Sequence, residues 1–160
     1  MDIASIKAKD LMTKDVLSAY EGWSIKRLSS FLVKHSISGV PVIASDHSLV
    51  GVVSSSDVLD FDSKSQQEKH QMVKAVYREY SGVEYDDKDV QELARKADEN
   101  CTVNQVMTQS VIKVDEETSI KDVVRLMLAN NIHRVFVTQG EVMTGVITTS
   151  NLLTIMLEAA

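Results

Sequence analysis

The chain has few of the features that mark disulfide-bonded, redox-active or membrane proteins. It contains one cysteine, Cys101, among 160 residues. A single thiol excludes an internal disulfide framework and a multi-thiolate zinc site, and it predicts an inert thiol in a reducing compartment. No stretch approaches the roughly 18 consecutive apolar residues of a membrane span, and the N-terminus lacks a basic start followed by an apolar segment. We therefore expect a cytoplasmic protein without membrane association.

Positive charge is also scarce. The chain has 17 lysine and arginine residues against 23 aspartate and glutamate residues, for a formal net charge of −6. No basic cluster offsets this balance, so binding of nucleic acid is not expected. A metal site has no support either, because His35 has no cysteine or second histidine at ligand spacing and is expected to pack against a helix face.

What the chain does contain is an internal repeat. Met12-Thr13 returns as Met107-Thr108, 95 positions later. The segment 51–57, Gly-Val-Val-Ser-Ser-Ser-Asp, returns as segment 145–151, Gly-Val-Ile-Thr-Thr-Ser-Asn, 94 positions later. Two copies of one unit are expected to pack as a pseudo-symmetric pair, and we expect function at the cleft between them.

Each copy follows the order β-α-β-β-α, which indicates an α/β (α+β) fold. Ser24 and Ser119 each precede a helical apolar pattern and are predicted to cap the first helix of their copy. Short β-branched runs predict a strand pair after each of these helices, and further short strands are expected around 16–17 and 111–112. The predicted segments are 8–60 for copy one, 61–101 for a charged helical insert and 102–157 for copy two.

The insert is polar and predicts two amphipathic helices separated by Ser81-Gly82. The first would bury Met72, Val73, Val76 and Tyr80, and the second would bury Val90, Leu93, Ala94 and Ala97. These helices exceed what a connection between repeats requires. Two interpretations stay open: they form a docking surface for a partner, or they belong to the core.

The first strand-to-helix junction combines groups that suit a phosphorylated sugar. The carboxylate of Asp57 can accept hydrogen bonds from both vicinal hydroxyls of a ribose. The hydroxyls of Ser54 and Ser56, together with helix N-terminal amides, suit phosphate oxygens. Val40 and Val53 flank the junction and are predicted to line an apolar slot for a purine.

The second junction repeats the pattern with Thr148, Ser150 and Asn151. An amide side chain has one acceptor oxygen and no charge, so we rank the Asn151 site below the Asp57 site. Helix capping without any ligand also explains these residues, with Asp57 and Asn151 as N-caps and Ser54 and Thr148 as turn residues. The occurrence of one constellation at two equivalent junctions favours a ligand at one of them at least.

The junction motifs and the duplicated β-α-β-β-α order resemble the CBS family, in the tandem arrangement called a Bateman module. The resemblance covers about residues 8–60 and 102–157. It implies two CBS-type repeats packed with pseudo-twofold symmetry, no obligatory cofactor, and AMP, ADP, ATP or S-adenosylmethionine as candidate ligand. His133-Arg134 is similar to the His-Arg pair that the gamma subunit of AMP-activated protein kinase directs at nucleotide phosphates, which makes Arg134 the expected phosphate anchor.

The resemblance also implies a function and an assembly. The first hypothesis is a regulatory module that senses an adenosyl ligand. This module would form a homodimer and would have no catalytic residues of its own. The alternative is a non-catalytic interaction module that docks on an enzyme or transporter without a small ligand. An enzyme is the least favoured class, because no catalytic constellation stands out in the sequence.

Overall fold

The computed structural model describes residues 5–83 and 85–159 and has an α/β fold with two three-stranded sheets. Its elements, in chain order, are α1 (Ala8–Leu11), β1 (Ala19–Tyr20), α2 (Ile25–His35), β2 (Gly39–Ile43), β3 (Leu49–Ser54), α3 (Ser55–Ser63), α4 (Gln66–Ser81), α5 (Asp87–Arg95), α6 (Ala97–Asn100), a 3-10 turn (Val103–Gln105), β4 (Lys113–Asp115), α7 (Ile120–Asn130), β5 (Arg134–Gln139), β6 (Val142–Thr148) and α8 (Thr149–Ala159). None of the described helices is long and apolar enough to cross a membrane.

The chain divides into two compact units. The first unit comprises residues 18–44 and 50–109, and the second comprises the described residues of 1–17, 45–49 and 110–160. In the first unit, β2 lies between β1 and β3, and β1 runs parallel to β2. In the second unit, β5 lies between a parallel β4 and an antiparallel β6. The two sheets therefore have the same strand order, as expected for a repeat.

The helix starts predicted at Ser24 and Ser119 are confirmed. The Ser24 hydroxyl accepts a hydrogen bond from the Arg27 amide at 3.1 Å, and the Ser119 hydroxyl accepts one from the Asp122 amide at 3.2 Å. Each side chain satisfies an amide that the first helical turn leaves without a backbone partner. Both helices of the repeat begin where the sequence indicates.

The short strands predicted around 16–17 and 111–112 are present slightly later in the chain, since β1 begins at Ala19 and β4 at Lys113. The cause is the Met-Thr segment that precedes each of them. Thr13 and Thr108 form backbone bridges to β6 and β3, and the chain must leave these bridges before it reaches its own sheet. In copy one, Asp15 turns the chain with a φ of 56°.

Each Met-Thr segment pairs with the last strand of the other sequence copy. Thr13 and Val146 exchange two backbone hydrogen bonds of 2.9 and 3.0 Å, and Thr108 and Val52 exchange two of 2.9 Å. The compact units therefore do not coincide with the two sequence copies, because each contains the Met-Thr segment of the other copy.

The N-terminal segment is bound to the second unit by charge as well as by backbone pairing. Lys7 and Lys9 both form ion pairs with Glu117. Hydrogen bonds from the two ammonium groups lower the pKa of Glu117 to about 2. The Ala8 amide donates to the Thr118 carbonyl at 2.8 Å, and Ala8 is fully buried. This segment is thus part of the unit that contains β6.

The insert helices belong to the core of the first unit. Val73 on α4 and Val90 on α5 are fully buried, in a cluster that also contains Ile25, Phe61 and Cys101. Burial raises the pKa of the Cys101 thiol to about 11, as expected for an unreactive thiol. The predicted burial of Tyr80 is wrong, since this side chain is 64% exposed. The helices therefore close the apolar face that α2 and α3 present.

We predict that Gly51→Ala destabilises the protein by about 1 to 3 kcal/mol, the usual cost of overpacking. An added Cβ would lie 2.7 Å from Met107 Sδ and 2.9 Å from the Thr108 carbonyl oxygen, which is held by its pairing with Val52. Gly22→Ala is the control, because a Cβ there meets nothing within 4 Å. Urea denaturation measures both, and equal midpoints would contradict the packing of the Met-Thr segment against β3.

A second prediction concerns the insert. Val73→Ala should lower the free energy of unfolding by about 2 kcal/mol, because it removes two buried carbon atoms and leaves a cavity. Val83→Ala makes the same chemical change at a side chain that is 55% exposed, and it should cost less than about 0.5 kcal/mol. If thermal or chemical denaturation shows no difference between the two variants, α4 is not part of the cooperative core.

Candidate functional site

The junction between β3 and α3 is organised by Asp57. Ser54 is the N-cap of α3, and its backbone amide donates to Asp57 Oδ2 at 2.7 Å. The Ser54 hydroxyl donates to the same oxygen at 3.1 Å. Asp57 Oδ1 accepts no hydrogen bond from any described residue. Capping therefore uses one oxygen of this half-buried carboxylate and leaves the second oxygen for another partner.

The junction between β6 and α8 has the same arrangement with an amide in place of the carboxylate. The backbone amide and the hydroxyl of Thr148 both donate to Asn151 Oδ1, each at 2.8 Å. Asn151 Nδ2 donates to the hydroxyl of Thr13 at 3.2 Å. Both polar atoms of the Asn151 side chain thus have partners within the second unit.

The alternative in which Asp57 and Asn151 are N-caps is wrong by three positions. The N-cap of α3 is Ser54, and Asp57 is the third residue of the helix, where it accepts from the N-cap amide. Asn151 holds the third position of α8. The capping interpretation itself is correct, and it accounts for one oxygen of each side chain, Oδ2 of Asp57 and Oδ1 of Asn151.

The first residue of α3 and of α8 also forms a backbone hydrogen bond with the residue that precedes the central strand of its sheet, β2 or β5. The Ser55 amide donates to the Ser38 carbonyl at 2.8 Å, and the Thr149 amide donates to the His133 carbonyl at 3.0 Å. Ser56 and Ser150, in the next position of each helix, are exposed. The fold therefore presents these two predicted hydroxyls at equivalent places on the two units.

Arg134 supplies a cation at the second junction. It is the first residue of β5 and lies opposite Thr148 in the antiparallel register of β5 and β6. Its side chain is exposed and forms no ion pair within the described part of the chain. In the first unit the equivalent position is Gly39. The predicted carboxylate and the predicted guanidinium thus lie in different units, at equivalent junctions.

His133 borders a small cavity. The cavity has a volume of about 200 Å³ and is lined by Val124, Met127, Leu128, Asn131, Ile132, His133, Thr149 and Leu152. Most of its wall is apolar, and His133 itself is exposed. An apolar cavity next to a histidine, a threonine hydroxyl and the strand that begins with Arg134 is the type of surface that small ligands use.

Val40 and Val53 are core residues of the first unit. They are 4% and 2% exposed and pack in a cluster with Leu28 and Leu32. They present almost no surface at the junction. Their role as walls of a purine slot stays a prediction.

Sequence reasoning missed the contact of Thr13 with Asn151. The repeated Met-Thr pair was a visible signal, but the spacing along the chain does not show that Thr13 reaches the junction of the other copy. No group of three or more potential metal-ligating side chains occurs among the residues that the structure describes.

A family model for the CBS domain matches residues 8–64 and residues 103–158. The chain belongs to the CBS domain family. It carries two CBS domains, and each match includes one of the strand-to-helix junctions described above. The segment between the two matches contains α4, α5 and α6.

Similar proteins include some that are longer than this chain and one of similar length, the uncharacterized protein MJ1426 of Methanocaldococcus jannaschii, which is 26% identical over 91% of this chain and 88% of its own length. The chain is 43% identical over 49 residues, 31% of its length, to a homoserine O-acetyltransferase of Methanosarcina acetivorans. It spans 9% of that relative and 21% of the uncharacterized protein MJ1225 of Methanocaldococcus jannaschii, so the chain covers only a small part of these two relatives.

Two solved structures share the fold along nearly the whole chain. One is CBSX2 of Arabidopsis thaliana in complex with AMP, with 24% identity, a TM-score of 0.65 and coverage of 96% of this chain and 97% of that chain. The other is the CBS domain pair of MJ0100 in complex with 5-methylthioadenosine and S-adenosyl-L-methionine, with 20% identity, a TM-score of 0.60 and coverage of 97% and 98%. At these identities the likeness establishes the fold.

We predict that Asp57→Asn leaves the helix cap intact. An asparagine oxygen accepts the same two hydrogen bonds at position 151, so the change should cost less than about 0.5 kcal/mol of stability. Asp57→Ala removes the acceptor and should cost about 1 kcal/mol. Thermal denaturation of both variants measures the difference, and equal losses would contradict a cap formed by a single oxygen.

Proposed function

We propose that the chain is a regulatory module that binds an adenine nucleotide or a related adenosyl compound at its strand-to-helix junctions. The observation that carries this proposal is the carboxylate of Asp57. One oxygen is used for helix capping, and the other accepts no hydrogen bond from a described residue. A half-buried acceptor of this kind is well suited to a ligand that donates hydrogen bonds.

A ribose is the donor group that fits Asp57 best. Its two vicinal hydroxyls can both donate to Asp57 Oδ1, which has two lone pairs. Hydrogen bonds to a charged oxygen are stronger than those between neutral groups. At the second junction, Asn151 Oδ1 already accepts both Thr148 donors and its amide is bound to Thr13. These contacts support the ranking of Asp57 above Asn151 as the ribose site.

The second junction is better suited to phosphate. The exposed guanidinium of Arg134 carries a charge that no described carboxylate balances, and its planar donors match phosphate oxygens. Thr148, opposite Arg134, and the exposed Ser150 add hydroxyl groups at the start of α8. In the first unit, Ser56 is the equivalent hydroxyl. We assign His133 a place beside Arg134 as a further phosphate contact.

The choice of an adenosyl ligand draws on the CBS relatives. The structures of CBSX2 and of the MJ0100 domain pair were solved with AMP and with two adenosyl compounds, respectively. The junction residues of this chain supply groups for ribose and phosphate, which all nucleotides share. Adenine is therefore the part of the proposal that rests on those relatives.

Self-association of the chain is supported by the surface of the second unit. Helix α8 has one charged residue, Glu158, and its Leu153, Met156 and Leu157 are 56%, 66% and 81% exposed. A largely apolar helix with an exposed face is typical of an interaction surface. We assign this face to a homodimer through which ligand binding is transmitted to a regulated enzyme or transporter. In a sedimentation experiment, the unchanged protein should behave as a dimer and the Leu157→Lys variant as a monomer.

The ribose contact makes the sharpest prediction. Calorimetry with AMP and with 2′-deoxy-AMP should show about a tenfold preference for AMP, because the deoxy compound lacks one donor to Asp57. Asp57→Asn should weaken AMP binding and abolish the preference. Asn151→Asp, the reverse change at the equivalent position, should leave the preference intact.

Adenosine, which has no phosphate, tests the phosphate contact assigned to Arg134 at the second junction. Arg134→Gln should weaken binding of AMP and leave binding of adenosine unchanged, since adenosine has no phosphate. Absence of binding for AMP, ADP, ATP and S-adenosylmethionine would contradict the proposed function as a whole. A full preference for AMP in Asp57→Asn would contradict the role of Asp57 alone.

A further inference from the structure

The middle of the insert is rich in acidic residues and has exposed aromatic side chains. Residues 79–92 contain six acidic residues and one lysine, in a chain whose net charge is −6. Within this stretch, Tyr80, Val83 and Tyr85 are 64%, 55% and 37% exposed. We propose that this surface docks a basic segment of a partner protein, with an arginine or lysine side chain held between Asp89 and Glu92 against Tyr85.

A groove of the right size lies at this position. It has a volume of about 410 Å³ and is lined by Tyr85, Asp89, Glu92, Leu93, Lys96 and Asn100. Asp89 and Glu92 are three residues apart on α5, so they lie on the same side of the helix. Leu93 and the ring of Tyr85 offer apolar surface to the methylene groups of a long basic side chain. The groove combines two carboxylates with an apolar wall.

The groove is held in shape by hydrogen bonds. Tyr85 packs edge-on against Tyr77, with ring centroids 5.2 Å apart. The Tyr77 hydroxyl and Asn100 Oδ1 are 3.0 Å apart, and Asn100 Nδ2 donates to the carbonyls of Leu93 and Lys96 at 3.1 and 2.9 Å. Asn100 thus connects the end of α6 to α4 and α5. A preformed groove loses little conformational entropy when a partner binds.

Charge complementarity identifies the partner. Asp89 and Glu92 are exposed and form no ion pair with the described residues, although Lys96 borders the same groove. A guanidinium or ammonium group would pair with both carboxylates and approach the face of Tyr85 as a cation–π contact. The local excess of negative charge repels nucleic acids and anionic membranes and attracts a basic protein segment.

This surface is independent of the proposed nucleotide site. The CBS family model ends at residue 64 and resumes at residue 103, so the groove lies outside both matched segments. Its residues also share no hydrogen bond with the junction at Ser54 and Asp57. The insert thus has two roles: one side closes the core of the first unit, and the other presents the acidic groove.

The test uses the full chain and two fluorescein-labelled peptides, four repeats of Ser-Arg-Leu and four repeats of Ser-Glu-Leu. Fluorescence anisotropy should show binding of the arginine peptide only, with an affinity that falls as salt is added. Asp89→Asn combined with Glu92→Gln should weaken binding by at least about tenfold, as for close charge pairs at interfaces. Tyr85→Phe should retain binding, and Tyr85→Ala should weaken it.

The matched control is Asp60→Asn combined with Asp62→Asn, which removes the same charge from exposed positions of α3. It should change the affinity by less than about twofold. If both double variants weaken peptide binding equally, the peptide is attracted by net charge alone. This result would overturn the proposal that the groove binds a basic segment. Failure of the arginine peptide to bind the unchanged protein would also overturn the proposal. Neither result bears on AMP binding.

Discussion

The pairing of each Met-Thr segment with the last strand of the other sequence copy is the constraint on which both units depend. Thr13 pairs with Val146 and Thr108 with Val52, and each methionine fills the space beside a strand glycine. This explains the glycines at 51 and 145, where any side chain would meet the methionine. It also fixes the last strand just before the junction to the helix. The position of Ser54 and Thr148 at the start of α3 and α8 follows from that strand.

The junctions show how one fold element carries two different chemistries. Asp57 and Asn151 accept the same pair of hydrogen bonds from the preceding cap residue, so the structural requirement is met by either side chain. The two side chains differ in the polar atom that takes no part in the cap. The carboxylate keeps an unused oxygen, whereas the amide nitrogen of Asn151 donates to Thr13. Together with the exposed guanidinium of Arg134 in the second unit, this divergence gives the two junctions different polar groups.

Much of the fold could be predicted from the sequence, because its signals are local. Ser24 and Ser119 cap helices whose apolar spacing is visible in the chain, and the family resemblance at the two junctions is confirmed by the CBS match. The exact starts of β1 and β4 could not be predicted, because the bridges of Thr13 and Thr108 that precede them are long-range pairings that leave no local pattern. The burial of Tyr80 was predicted wrongly because helical periodicity identifies the apolar face of α4 and does not show how far along the helix this face is covered. The unused oxygen of Asp57 depends on a side-chain geometry that composition and spacing do not contain.

An NMR titration of the isotopically labelled protein with AMP tests directly whether the two strand-to-helix junctions bind the nucleotide. We predict that the largest amide shifts fall at Ser54 to Asp57 and near Arg134 and Thr148, with little change on α4 and α5. In Asp57→Asn, the shifts at residues 54–57 should require a higher AMP concentration. Shifts confined to the insert, or no shifts at the junctions at saturating AMP, would contradict nucleotide binding at the junctions.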